Sequence, residues 1–282
     1  MPPSPVPSEH RPRKRFGQNF LHDPATIRRI LAAVAPAPGQ HLVEIGPGRG
    51  ALTAGLLEAA GELDVIELDR DLVGPLAERL GGLGRLRVHQ ADALKFDLCT
   101  LLPRAALAAG RRLRLVGNLP YNISTPLLFR FLEQADCIED MHLMLQKEVV
   151  DRLAAGPGQK RYGRLSVMVQ SQCVVERVLT VGPGAFTPAP KVDSAVVRLL
   201  PLRPPPVRIG DPALHARIVA AAFSQRRKRI SNSLRGLADP ALLARCGLDP
   251  GARAEQLSVA DFAHLANRVA TAEPGCNPAT NP

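Results

Sequence analysis

The tetrapeptide Asn118-Leu119-Pro120-Tyr121 combines residue types that can hold the exocyclic amine of an adenine for reaction. Adenine N6 is a poor nucleophile because its lone pair is delocalised into the ring. Gripping the amine hydrogens would turn that lone pair out of the ring plane. The Asn118 side-chain oxygen and a main-chain carbonyl of the turn are suitable acceptors. Pro120 stiffens the turn, and Tyr121 offers a face on which an extracted base can stack. Such chemistry takes its rate from positioning, worth roughly 7–11 kcal/mol, and needs no strong base.

A second constellation lies upstream. Val43-Glu44-Ile45-Gly46-Pro47-Gly48-Arg49-Gly50-Ala51 follows an apolar run and opens a helical pattern. Its glycines allow a tight turn and close approach of a nucleoside ligand to the main chain. Glu67 follows at the end of the next apolar run, where a carboxylate can accept from ribose hydroxyls. Read alone, Gly46, Gly48 and Ala51 also satisfy a dinucleotide fingerprint. Asp92 ends the third run, where it can accept from an adenine amine, and Asn118 ends the fourth. Ligands of open α/β sheets bind beyond the carboxyl ends of the strands, so Gly46, Glu67, Asp92 and Asn118 describe one site. A dehydrogenase has no use for the fourth cluster.

These residues require a sheet. Strands are expected at His41–Gly46, Leu63–Asp69, Leu86–Ala91, Leu113–Leu119 and Met141–Gln146, with helical spacing between them (Leu52, Leu56, Leu57; Leu72, Leu76, Leu80). The alternation predicts an α/β fold, a parallel sheet covered on both faces. The runs Ser166–Val181 and Ala195–Leu200 are expected to form an antiparallel pair at its edge. Pro201-Leu202-Arg203-Pro204-Pro205-Pro206 reads as a linker, 201–206, between a large domain, 13–200, and a small all-α domain, 207–270. Asp211-Pro212 and the Ser258/Asp261 capping box are expected to open helices of that small domain. The Pro-rich leader, 1–12, and the tail, 271–282, are expected to be disordered.

The 282 residues carry 36 Lys and Arg against 26 Asp and Glu, a formal charge of +10, which points to a polyanionic partner. No apolar stretch is long enough to span a bilayer, and the basic N-terminus has no apolar region behind it, so a cytoplasmic protein is expected. The five cysteines are scattered, with no CxxC pair, suggesting neither a metal site nor a disulfide.

Asn118-Leu-Pro-Tyr-Asn-Ile-Ser-Thr125 resembles the motif of the ribosomal RNA adenine dimethyltransferases, in particular the bacterial small-subunit type known by the kasugamycin-resistance phenotype. Gly17-Gln-Asn-Phe-Leu21, Tyr162-Gly-Arg-Leu-Ser166, Phe186-Thr-Pro-Ala-Pro-Lys-Val-Asp-Ser194 and Gln225-Arg-Arg-Lys228 are also similar to that family. The likeness runs from about Arg13 to Ala270. It implies a seven-stranded, Rossmann-like class I methyltransferase sheet. It also implies S-adenosylmethionine as cofactor and dimethylation of two adjacent adenines near the 3′ end of 16S ribosomal RNA, in a small-subunit (30S) precursor. Cofactor contacts would fall on Asn19, Leu21, Gly46, Gly48, Glu67, Asp92 and Asn118. Asn118, Leu119, Pro120 and Tyr121 would form the catalytic turn, with Phe186 clamping the target adenine opposite Tyr121. A monomer is expected.

Arg217, Arg226, Arg227, Lys228, Arg229 and Arg235 are expected on one helix of the small domain, with Arg226–Arg229 as the RNA-binding group and Arg13, Lys14 and Arg15 adding to it. Where the family usually continues Gln-Arg-Arg-Lys with Thr-Leu, this chain has Arg229-Ile230. Two rival readings are a large-subunit adenine methyltransferase of the macrolide-resistance type and a non-catalytic ribosome-assembly or transcription factor on the same fold. Leu119, Asn122 and the Gln225–Lys228 run speak against the first. Intact Glu67, Asp92, Asn118 and Tyr121 speak against the second.

Overall fold

A computed structural model of the chain describes residues 17–271. The expectations for the leader, the tail beyond Thr271 and Arg13, Lys14 and Arg15 lie outside the described residues. In chain order the first elements are β1 (Phe20–Leu21), α1 (Pro24–Val34), β2 (His41–Ile45), α2 (Thr53–Ala60), β3 (Glu62–Glu67), α3 (Arg70–Leu80) and β4 (Arg85–Gln90). They are followed by α4 (Arg104–Ala108), β5 (Leu113–Asn118), α5 (Ser124–Leu132), β6 (Ile138–Gln146), α6 (Lys147–Leu153) and α7 (Arg164–Gln170). The rest are β7 (Cys173–Val181), β8 (Phe186–Thr187), β9 (Ser194–Pro201), α8 (Pro212–Ser224), α9 (Ile230–Ser233), α10 (Pro240–Arg245) and α11 (Val259–Thr271).

The main sheet has seven strands in the order β4-β3-β2-β5-β6-β9-β7. The pairs β2–β3, β2–β5, β3–β4 and β5–β6 are parallel, and β9 enters antiparallel to β6. The five expected strands are all present. β2 and β5 are almost continuously buried, as strands covered on both faces must be, whereas β4 at the edge is only half-buried. The helical spacing also holds, because α3 buries Leu72, Leu76 and Leu80. Leu76 and Leu80 pack with Leu52, Leu56, Leu57, Leu63 and Val65 to form the core behind the first three strands.

The edge differs from expectation. The run Ser166–Val181 is not one strand: its first part is α7, and β7 begins only at Cys173. The Gly163 N–H donates to Ser166 Oγ at 3.1 Å and starts the helix there. An apolar run of this length does not by itself distinguish a buried helix from a strand. A separate two-stranded sheet pairs β1 with β8, antiparallel, with Leu21 opposite Phe186.

By its contacts the chain forms two compact units, one of the described residues up to Val150 with Glu176–Pro201, the other of Asp151–Val175 with the residues from Leu202 onward. One of the boundaries between the units falls after Pro201. The segment Asp151–Val175, however, packs with the C-terminal helices, because Tyr162 and Val167 share a core with Ile218, Val219, Phe262 and Leu265. Tyr162 is fully buried and its hydroxyl donates to the Leu257 carbonyl at 3.0 Å. Both expected caps are formed. Asp211 accepts from Leu214 N–H at 2.9 Å, and Ser258 and Asp261 each accept the other's main-chain N–H, at 3.1 and 2.8 Å.

The absence of a disulfide is overturned. Cys99 and Cys137 are bonded to each other across a sequence separation of 38 residues. The fold brings them together where Gln134 Oε1 accepts from Leu98 N–H at 2.7 Å, a proximity that their scattered positions did not signal. Cys173 and Cys246 are free.

Candidate active site

A cavity of about 350 Å³ opens at the carboxyl ends of β2, β3, β4 and β5. That is a size suited to a nucleoside-bearing ligand, roughly 300–1,000 Å³ being usual for small-molecule sites. Its wall includes Asn19, Leu21, Gly46, Gly48, Glu67, Asp92, Asn118, Leu119, Pro120 and Tyr121. The residues expected from four strand ends and from the N-terminal motif therefore meet in one place.

The glycine turn is built as its sequence requires. Gly46 N–H donates to the Ile66 carbonyl at 2.9 Å, carrying the β2–β3 ladder one residue further. Gly48 has φ +57°, and a Cβ there would stand 3.1 Å from the Phe20 ring. A side chain would press on the very strand that closes the cavity. Arg49 lies over the same ring, its guanidinium 4.7 Å from the Phe20 ring centre.

Glu67 is nearly buried and both of its oxygens are used. Oε2 accepts from Gly48 N–H at 3.1 Å and Oε1 from Asp69 N–H at 2.8 Å. A carboxylate has about four acceptor positions, so acceptor capacity remains for a ligand. Burial raises its pKa, and the Asp69 and Gly48 amides work against that rise. Asp92 forms a local turn through Oδ1, which accepts from Leu94 N–H at 3.0 Å.

Asn118 is oriented from the far end of the chain. Its Nδ2 donates to the Asn19 carbonyl at 3.0 Å. A carbonyl can only accept, so the amide nitrogen must face Asn19 and Oδ1 is left as an acceptor. The main chain of the turn is held as well. Leu119 N–H donates to the Met144 carbonyl at 3.1 Å, Ile123 N–H to that of Pro120 at 3.2 Å, and Ser124 Oγ to that of Tyr121 at 3.1 Å. Of the three carbonyls after Asn118, this leaves the Leu119 carbonyl as the second acceptor of the turn. The Tyr121 hydroxyl is 2.6 Å from Ser194 Oγ.

Phe186 is not on the cavity wall. It is 3% exposed and packs in the core with Leu21, Val181, Ala185 and Val196. The likeness to the family placed it opposite Tyr121; in this structure it is buried among these residues and does not line the cavity.

Glu44 is a cavity residue that the strand pattern alone did not single out. It is 2% exposed, and among the described residues its Oε2 has no hydrogen-bond partner. Burial pushes its pKa up to about 8, with the Thr53 hydroxyl lowering it and the Glu67 carboxylate raising it. The available signal was an acidic residue inside the otherwise apolar run of β2.

The basic group is arranged differently from expectation. Helix α8 ends at Ser224, and Gln225–Arg229 form a turn closed by Lys228 N–H on the Gln225 carbonyl at 2.9 Å. Arg226 is tied inward. Its guanidinium meets Glu255 at 3.0 Å and donates to the carbonyls of Lys160 and Tyr162 at 2.7 and 2.8 Å. Arg226 therefore shapes the turn although it is exposed like its neighbours, and Arg227, Lys228 and Arg229 are the other exposed cations upon it.

A parallel sheet with β9 inserted antiparallel next to β6, and a glycine turn followed by two carboxylates along one edge, is the architecture of the class I methyltransferases. Residues 9–271 match the family described as ribosomal RNA adenine dimethylase, and the chain belongs to that family. It is 57% identical over 260 residues to the ribosomal RNA small subunit methyltransferase A of Methylococcus capsulatus, covering 92% of this chain and 98% of that protein. To the protein of the same name from Pseudomonas aeruginosa it is 56% identical, covering 93% and 96%. Among solved structures it is similar to a dimethyladenosine transferase from Plasmodium falciparum, with a TM-score of 0.75, 26% identity and coverage of 87% and 95%. The 23S rRNA methyltransferase ErmE is similar too, with a TM-score of 0.69, 28% identity and coverage of 90% and 100%.

Proposed function

We propose that this chain transfers methyl groups from S-adenosylmethionine to the N6 amines of two adjacent adenines near the 3′ end of 16S ribosomal RNA, within a small-subunit precursor. The observation that carries the reading is the orientation of Asn118, whose Oδ1 is left to accept beside the Leu119 carbonyl. Two acceptors in one turn are what an exocyclic amine needs. Near-full-length identity to small-subunit relatives favours that RNA over the large-subunit one.

The cavity fits the proposed cofactor. Glu67 retains acceptor positions for ribose hydroxyls, Asp92 lies beyond the next strand, and the bare main chain at Gly48 admits close approach. Glu44, held mainly protonated below about pH 8 in the ligand-free fold, brings a buried carboxyl with an unpartnered Oε2 to the cavity wall as a polar partner for a ligand. When bound, S-adenosylmethionine supplies an electrophilic methyl carbon. The chain's own part is to hold the amine hydrogens on Asn118 Oδ1 and the Leu119 carbonyl, and to stack the base on Tyr121. Burial keeps the Tyr121 hydroxyl above its ordinary pKa, so the ring is a neutral phenol at physiological pH.

Arg227, Lys228 and Arg229 are the cations proposed to meet RNA phosphates. A monomeric, cytoplasmic protein fits the reading, and among the described residues no helix is long and apolar enough to cross a membrane. The test is methyl transfer from labelled S-adenosylmethionine to small subunits isolated from cells lacking the modification. Label on two neighbouring adenines near the 3′ end is expected. Label on large subunits alone, or on neither, would overturn the proposal.

A further inference from the structure

Ser194 closes the segment whose other end is Phe186, and it lies at the start of β9. It is fully buried, and its register opposite Gln146 on β6 fixes it from one side. The Lys147 N–H donates to the neighbouring Asp193 carbonyl at 2.9 Å and fixes it from the other. Its hydroxyl is 2.6 Å from that of Tyr121. Pairing spares both hydroxyls the cost of a buried polar group left unsatisfied. The tyrosine backbone is already held, since Ser124 Oγ donates to its carbonyl. What the backbone does not fix is the direction in which the ring projects, and the hydrogen bond at the para position pins the far end of that axis.

We propose that Ser194 is a positioning residue for methyl transfer, pinning the far end of the Tyr121 ring against which the target adenine stacks. The segment Phe186–Ser194 would then act on the site through its last residue, while its first lies in the core. The inference rests on the reading of Tyr121 as the stacking face. A base stacked on a ring pinned at its far end keeps its amine in register with Asn118 Oδ1. A ring free to swing about Cα–Cβ carries the base to many positions, few of which align the lone pair for attack.

The test compares S194A, Y121F, the double variant and Y121A in methyl transfer to unmethylated small subunits. The expected result is a fall in kcat on the order of tenfold for S194A and Y121F alike, the worth of about one buried hydrogen bond. KM for S-adenosylmethionine should stay unchanged, and the double variant should be no worse than either single, because both remove the same hydrogen bond. Y121A should be slower still. Native kcat in S194A and Y121F, with Y121A impaired, would overturn the role of Ser194 and leave the stacking face intact. Native kcat in Y121A would overturn the stacking reading itself. Additive losses in the double variant, or a parallel rise in KM with early melting, would reduce Ser194 to a structural residue. Should S194A fail to fold, Y121F decides alone, since it keeps every atom of β9.

Discussion

Asn118 and Asn19, 99 positions apart in sequence, are joined by one hydrogen bond of 3.0 Å from side-chain nitrogen to main-chain carbonyl. That bond ties the N-terminal motif to the turn proposed to be catalytic. It decides which way a nearly symmetrical amide points, and therefore whether the turn offers an acceptor or a donor to an amine. The Gln18 side chain, bonded to Asp69 at 3.0 Å, anchors the same segment to the loop after β3.

Asn118→Ala removes the oriented acceptor. Turnover at saturating cofactor and RNA should fall by about a hundredfold, the scale of misplacing a reacting group. RNA affinity should hardly change. Single-turnover rates beside equilibrium binding separate the two, and near-native saturated turnover would contradict the proposed mechanism.

Glu67→Ala should weaken S-adenosylmethionine binding by about 1.5–3 kcal/mol, the range for hydrogen bonds to a charged group. The Gly48 and Asp69 amides, which donate to Glu67, would also be left without their acceptor. Glu67→Gln, which keeps an acceptor for one of them, should fall between. Calorimetric titration is the measurement, and unchanged affinity in a folded Glu67→Ala protein would remove Glu67 from the site.

Glu44 gives the ligand-free protein a pH dependence of definite sign. Its folded pKa of about 8 lies above the ordinary 4.5, so the folded state holds the proton more tightly than the unfolded chain. Its contribution to stability is complete below about pH 4.5 and is lost as pH rises toward 8, with a slope of up to about 1.4 kcal/mol per pH unit. Glu44→Gln carries no titrating proton. Denaturant unfolding at several pH values should show a flatter profile across that window for the variant. Parallel profiles would show that Glu44 is ionised in the fold.

The basic turn separates into two kinds of residue. Replacing Arg227, Lys228 and Arg229 with Ala should leave melting unchanged and lower the log–log salt slope of particle binding by roughly 0.7–0.9 for each phosphate no longer neutralised. Arg226→Ala should instead destabilise its own unit, on the order of 1 kcal/mol, through the carbonyls of Lys160 and Tyr162 left without this donor. An unchanged slope in the stable triple variant would mean that the RNA is held elsewhere.

Much of the site was legible in the sequence because strand ends and turns are local. Gly46, Glu67, Asp92 and Asn118 each end or follow an apolar run, and parallel topology then brings them to one edge. Asp211 and Ser258 were readable as caps for the same reason. What escaped depends on the meeting of distant segments. The burial of Phe186 follows from its packing with Leu21, Val181 and Val196, and the Cys99–Cys137 bond from the apposition of two distant segments. The run Arg226–Arg229 resembles a charged helix face until Glu255 and two carbonyls claim its first member. Glu44 looked like one polar residue in a strand because the isolation of its Oε2 is a property of three dimensions.

The pairing of Phe20–Leu21 with Phe186–Thr187 has a consequence for synthesis. A ribosome makes the chain from its N-terminus, so the first of these strands emerges early and the second only after β2 to β6 have left the exit. Until then, one wall of the cavity lacks its strand partner, and the segment that steers Asn118 is held by contacts such as those of Gln18 with Asp69 and Phe20 with Arg49. Binding competence is thus acquired late in translation, although the glycine turn and its carboxylates emerge much earlier.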